Sequence, residues 1–206
     1  MILWDVDTQV DFMLPEGKLY VPGAEETVPT MKRLVDAARA AGVVHVASVD
    51  DHELTDEEIS DSPDFITTYP PHCLRGTRGA CKIPETEQEN PVPMTLSPLP
   101  ERYLRGREFL LPKKSIDVFT NPNTDRLLEW LDPDEIVVFG TATDVCADAA
   151  ILGFLDRGFA VRVVDDATRG LDDRRTAACT AAWKVRQVAV TTADEVIASL
   201  ASVRAA

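Results

Sequence analysis

The sequence predicts an α/β protein, a three-layer α/β/α sandwich with a doubly wound, mainly parallel six-stranded sheet of order 3-2-1-4-5-6. Three observations predict it. Short runs rich in β-branched residues alternate with stretches of helical periodicity. Acidic, amide or basic residues follow the first three strands directly, where the carboxyl edge of a parallel sheet belongs. Three strands are then followed by three more, the count a doubly wound sheet needs.

Residues 1–6 form the first strand and run into Asp7-Thr8-Gln9-Val10-Asp11-Phe12. Residues 24–41 read as a helix whose stripe is Val28, Met31, Leu34, Val35 and Ala38. Pro29 fits only near its start, and Gly42 ends it. Residues 43–49 are the second strand, ending in Asp50-Asp51-His52. From 51 to about 107 the rhythm breaks into prolines, acids and short apolar runs. Loops longer than about 12–15 residues usually serve as lids or binding elements, so this stretch is expected to be an excursion over the carboxyl edge of one domain spanning 1–206. Residues 108–112 are the third strand, followed by Lys113-Lys114; residues 125–131 are helical. Ile136–Phe139 is the fourth strand, 140–143 a tight turn, and a helix follows from Asp144 with Thr143 as its N-cap. Residues 159–164, 172–184, 188–191 and 194–203 complete the alternation as strand, helix, strand and helix.

The formal net charge of −14 argues against nucleic acid and against an anionic membrane as partner. No apolar run approaches the roughly 20 residues of a membrane span. Cys73, Cys81, Cys146 and Cys179 lack zinc-ribbon or disulfide-framework spacing, and the N-terminus shows no secretory signal. Free thiols in a reducing cytoplasm are therefore expected.

Cys146 falls in the first turn of its helix, among free N–H groups at the positive end of the dipole. That position is expected to lower the thiol pKa and to offer an oxyanion cradle. In the predicted strand order, strands one and four are neighbours where the winding reverses, so Asp7 and Cys146 meet in one crevice, with Lys113 farther along the same edge.

Asp7-Thr8-Gln9-Val10-Asp11-Phe12 resembles the D-x-Q-x-D-F opening of the isochorismatase-like cysteine hydrolases. Ala142-Thr143-Asp144-Val145-Cys146 resembles their nucleophile turn, and residues 69–80, with Tyr69-Pro70-Pro71-His72-Cys73, resemble the W-P-P-H-C segment of the nicotinamidase branch. The resemblance spans essentially the whole chain. It implies a catalytic Asp7, Lys113 and Cys146, with Lys114 as an alternative lysine. It also implies an oxyanion hole from the amides of Ala142 and Cys146, with a cis peptide at Thr141–Ala142. Phe12 and Tyr69 match aromatic positions of the substrate pocket. A divalent metal, zinc, iron or manganese, is implied at Asp50, His52, Glu58 and His72, where Glu58 replaces the more usual histidine. His45, inside the second strand, reads as a core histidine.

The implied reaction is hydrolysis of a small-molecule amide such as nicotinamide to its acid and ammonia through a thioester. Isochorismatase-like chemistry on a vinyl ether and hydrolysis of ureido or maleamic compounds are alternatives. Arg75, Arg78 and Arg102 in the excursion would suit an anionic substrate. A further alternative is a haloacid dehalogenase-type phosphatase, in which Asp5 of Asp5-Val6-Asp7-Thr8 is the nucleophile and Asp165-Asp166 bind Mg²⁺. The resemblance leaves a homo-oligomer open.

Overall fold

The computed structural model describes residues 1–203. Its strands are β1 (Ile2–Val6), β2 (Val44–Asp50), β3 (Val92–Pro93), β4 (Glu108–Lys113), β5 (Glu135–Thr141), β6 (Ala160–Arg169) and β7 (Ala189–Thr191). The helices are α1 (Val10–Met13), α2 (Val28–Ala41), α3 (Thr124–Leu131), α4 (Cys146–Asp156), α5 (Asp173–Val185) and α6 (Ala193–Val203). All strand pairs are parallel, in the order β3-β4-β2-β1-β5-β6-β7. The six strands read from the sequence keep the expected order. The addition is β3, two residues beyond the β4 edge, too short to leave a periodic signal.

Alternation along β1 divides the core. Ile2, Trp4 and Val6 pack with residues of α3, α4 and α5, including Leu127, Phe154 and Trp183. Leu3 packs on the other face with Met31, Leu34 and Val35 of α2 and with Val196 and Leu200 of α6. Helices therefore cover both faces, which is why the strands are apolar on both sides. Pro29 stands in the first turn of α2, and Gly42 caps that helix with a left-handed φ of 70°.

Residues 51–107 do more than cover the carboxyl edge. Parallel β2 and β4 require the chain to return to the amino end of the sheet between them. Here the crossover carries no α-helix: Gln88 donates to the carbonyls of His45 and Phe109, at 2.8 and 3.1 Å. One side-chain amide thus fastens the descending chain to both strands where no helix does.

The β1–β5 contact admits no side chain at one point. Gly140 has φ of 118°, and a Cβ there would lie 2.1 Å from the Val6 carbonyl oxygen. Gly140→Ala is expected to lower stability by more than about 3 kcal/mol, measured from urea unfolding. A smaller loss would mean that these two strands can part without consequence.

Among the described residues no helix is long and apolar enough to cross a membrane. Cys73, Cys81, Cys146 and Cys179 are all free.

Candidate active site

The site lies where the winding reverses. From β1 the chain turns toward α2, from β5 toward α4, and the two strands are hydrogen-bonded neighbours. Asp7 follows β1 with φ of 49°, and Cys146 opens α4. The β2–β4 register sets Asp50 beside Lys113 at the same edge.

Lys113 is the hub. Its side chain is 1% exposed, and its ammonium lies 2.9 Å from Asp7 Oδ2 and 3.6 Å from Cys146 Sγ, and is hydrogen-bonded to Asp50 Oδ1. Oxygens of Asp7 and Asp50 and the sulfur of Cys146 all lie within 4.8 Å of one another, and the Lys113 ammonium fills the place of a cation among them. Ser48 Oγ donates to Asp7 Oδ1 at 2.8 Å. The neighbouring Lys114 turns away and pairs with Asp56 at 2.8 Å, so Lys113 is the lysine that meets both Asp7 and Cys146.

The electrostatics follow from burial and from this cation. Burial pushes the Asp7 carboxyl up, with Lys113 opposing and Asp50 reinforcing. Burial also disfavours Asp50 as an anion, but Lys113, His52 and His72 outweigh it and hold that carboxyl well below its ordinary range. Burial works against the charge on Lys113, yet Asp50 and Asp7 hold its pKa well above normal. Cys146 departs from expectation: burial, with Asp7 and Asp50, pushes its thiol well up despite Lys113. A helix N-terminus acts strongly on a thiol in a polar setting, whereas this sulfur is buried and faces two carboxylates.

The helix start also differs. Asp144 and Val145 are not helical; α4 begins at Cys146, and Thr143 is not its cap but donates its amide to Arg169 O at 2.9 Å. The Asp144 carboxylate instead accepts from the Leu171 amide at 2.8 Å and from Arg175 at 3.0 Å, tying the turn to the chain before α5. The Thr141–Ala142 peptide is cis, as the resemblance implied. Among the described residues, the amides of Ala142 and Cys146 donate to no other group.

A second cluster adjoins the first through Asp50. Its other oxygen lies 3.3 Å from His72 Nε2 and 3.8 Å from His52 Nε2, and His52 Nε2 is 3.7 Å from Glu58 Oε1. Donor atoms of all four residues lie within 4.8 Å of one another, and all four are buried. These spacings are close to the roughly 3.4 Å that separates ligands about 2.1 Å from a tetrahedral ion. Among the described residues His52 Nε2 is buried without a hydrogen-bond partner, which is costly unless a ligand takes its lone pair. Two imidazoles and two carboxylates thus fit a divalent cation. Glu58 is further fixed by the Ile116 amide at 2.9 Å.

The pocket over Cys146 measures about 290 Å³ with its open mouth, and is lined by Phe12, Leu19, Val21, Tyr69, Ile116, Val145 and Leu171 above Asp50, Glu58, His72 and Cys146. Phe12 and Tyr69 are therefore wall residues. The Phe12 and Tyr69 rings stand 5.3 and 6.2 Å from that of His72. Burial, with Cys146 and Glu58, raises the Tyr69 phenol to about 12. Among the described residues no Arg or Lys lines this pocket. The arginines expected to attract an anion are elsewhere: Arg75 pairs with Asp51 and Glu53, Arg78 with Glu16, and Arg102 lies over Tyr103.

Sequence reading missed several groups. Gln9 brackets Asp50 by donating to its carbonyl at 2.8 Å and accepting from its amide at 2.7 Å. Asp11 Oδ2 accepts from the Cys73 amide at 2.7 Å, placing the His72 segment. Their presence in the D-x-Q-x-D-F run was the available signal. Ser48 and Asp56 gave none. Asp5 is buried away from the pocket; burial opposes its ionisation, but Lys82 at 2.5 Å, with His45, holds its carboxyl low. Asp165 and Asp166 are exposed in β6, and Asp166 caps α6 by accepting from the Ala193 amide at 2.8 Å. The phosphatase arrangement is therefore not assembled. His45 is buried beside Asp5 at 3.4 Å, a core histidine.

A family model described as the isochorismatase domain matches residues 2–195. The Escherichia coli (strain K12) nicotinamidase is 29% identical over 194 residues, covering 81% of this chain and 82% of that enzyme. An isochorismatase-like hydrolase from Alkaliphilus metalliredigens superposes with a TM-score of 0.78 at 20% identity, covering 96% of this chain and 97% of that one. The pyrazinamidase of Pyrococcus horikoshii, solved in complex with zinc, gives a TM-score of 0.73 at 23% identity, with 93% and 98% covered.

Proposed function

The chain belongs to the isochorismatase family, and from that premise we propose that it is a cysteine amidohydrolase cleaving a small, uncharged ring amide such as nicotinamide to its acid and ammonia. One observation carries the reading: a single buried ammonium contacts both Asp7 and Cys146 beneath an apolar pocket.

Asp7 takes the proton from Cys146, and the sulfur attacks the amide carbonyl carbon. The amides of Ala142 and Cys146 receive the developing oxyanion. The C–N bond breaks as Asp7 returns the proton to nitrogen, so ammonia leaves and a thioester remains. Asp7 then takes a proton from water, the hydroxide adds to the thioester, and the C–S bond breaks as the thiol is restored. Lys113 stays protonated and balances Asp7 and the transient thiolate. Asp50, His52, Glu58 and His72 would hold zinc, iron or manganese, which would supply a Lewis-acidic charge beside the substrate.

The pocket wall sets the substrate class. Flat apolar rings match Phe12, Tyr69, Val145 and Leu171, whereas a substrate carboxylate meets no lining Arg or Lys. Ammonia release from nicotinamide and pyrazinamide is expected to exceed that from maleamate or an N-carbamoyl amino acid by about 100-fold in kcat/KM. Preference for a carboxylate-bearing amide would overturn the substrate class, and failure to release ammonia from any amide would overturn the reaction.

A further inference from the structure

We propose that Asp56 and Lys114 form an outer clamp that fixes the tautomer of His52 and thereby sets how tightly this chain holds its divalent ion. The inference rests on the metal reading above, but its parts are separate residues with separate contacts.

The side chain of His52 is fully buried, and its two ring nitrogens face different partners. Nδ1 lies 3.3 Å from Asp56 Oδ2; Nε2 points to Asp50 and Glu58 and has no hydrogen-bond partner. A neutral imidazole carries one N–H and one lone pair, and an ionised carboxylate only accepts. Asp56 therefore places the hydrogen on Nδ1 and leaves the Nε2 lone pair facing the cluster. His72 reaches the same orientation by other means, with Nδ1 at 2.7 Å from the Pro70 carbonyl oxygen. That partner is fixed by the backbone. Asp56 is a side chain and has to be held.

Two groups hold it. The Glu53 amide donates to Asp56 Oδ2 at 2.8 Å within the 53–56 turn, and Lys114 Nζ lies 2.8 Å from the same oxygen. Adjacent lysines at the end of β4 thus serve different centres: Lys113 faces Asp7 and Cys146, and Lys114 faces the carboxylate behind His52. Two residues on, the Ile116 amide holds Glu58. The turn after β4 is the frame for half of the ligand set. Asp56 and Lys114 are positioning residues, since neither touches the cluster's interior.

The test measures zinc and manganese affinity by competition with a fluorescent chelator for the wild type, Asp56→Ala, Asp56→Asn and Lys114→Met. Asp56→Ala is expected to weaken binding by about 10–100-fold, with Asp56→Asn, whose amide oxygen still accepts from Nδ1, recovering part of the loss. Lys114→Met leaves the 53–56 turn intact and is expected to weaken binding by several-fold. Nitrogen NMR of the metal-free proteins supplies a reading that a merely structural role would not move. At a pH high enough to leave the rings neutral, His52 should carry its proton on Nδ1 in the wild type and become a tautomer mixture in Asp56→Ala, while His72 is unchanged. Affinities within twofold of wild type in both Asp56→Ala and Lys114→Met would overturn the clamp, as would lost affinity with an unaltered His52 tautomer. A wild-type protein that takes up neither ion would remove the metal reading, and with it the affinity this clamp is said to set, whereas a metal-binding wild type with indifferent variants removes only the clamp.

Discussion

Replacing Cys146 with alanine is expected to lower kcat/KM for the preferred amide by at least about 10⁴-fold while leaving the fold intact. The sulfur is the one nucleophile at the pocket floor, and nothing nearby can substitute for it: the Asp7 carboxylate is engaged by Lys113 and Ser48, and that of Asp50 by Lys113 and His72. Removing one sulfur leaves a small cavity, worth about 1 kcal/mol. The unfolding midpoint should therefore barely move. The pH profile distinguishes this mechanism from one that begins with a free thiolate. Burial and the two carboxylates hold the Cys146 thiol well above its ordinary pKa, so the resting group is neutral and its proton must pass to Asp7. Asp7 accepts only when ionised, and burial raises its pKa. Activity should rise with pH through a limb lying above the ordinary carboxylate range, because below that pKa the base is already protonated. Asp7→Asn should abolish both the limb and the turnover. Retention of one hundredth of wild-type activity by Cys146→Ala, measured as ammonia release, would remove Cys146 as nucleophile.

Much of this site was legible because strand order is a topological consequence of element order. Once β1 and β5 are neighbours, Asp7 and Cys146 share a crevice whatever their sequence separation. The four candidate ligands were readable only through the resemblance, because three of them, His52, Glu58 and His72, lie in a segment without periodicity. What stayed hidden depends on three-dimensional surroundings. The charge state of Cys146 is governed by burial beside Asp7 and Asp50, which overrides a local rule about helix ends. The choice between Lys113 and Lys114 is set by alternation at the end of β4, where adjacent side chains point to opposite sides. The lid arginines read as free cations because their partners Asp51, Glu53 and Glu16 are joined to them only by the folded loop.

The largest combined loss of stability and activity is expected from Lys113→Met. The wild-type ammonium is buried between Asp7 and Asp50, and removing it leaves two carboxylates facing each other without a cation. Breaking a buried ion pair from one side typically costs about 3–5 kcal/mol, because the remaining charge is uncompensated. Lys114→Met gives the contrast one residue away: that pair is partly exposed, and its loss should cost less than about 1 kcal/mol. The pH dependence fixes the cause. In the wild type Asp50 has a depressed pKa, so its contribution to stability is present above the unfolded carboxylate value of about 4 and is lost as pH falls. Without Lys113 only His52 and His72 still favour the Asp50 carboxylate against its burial, and Asp7, already raised, rises further, so the uncompensated pair opposes folding at neutral pH. Acidification protonates them at little cost, and the deficit of Lys113→Met relative to wild type should shrink as pH falls toward about 4. The comparison belongs in chelator, where no bound ion can take over the role of the ammonium. Turnover should fall by about 10³-fold or more even where the protein is folded, since Asp7 would then hold its proton. A deficit that stays constant with pH would mean that Lys113 contributes packing and not charge, and the shared ammonium would no longer explain how Asp7 is kept ready to accept a proton.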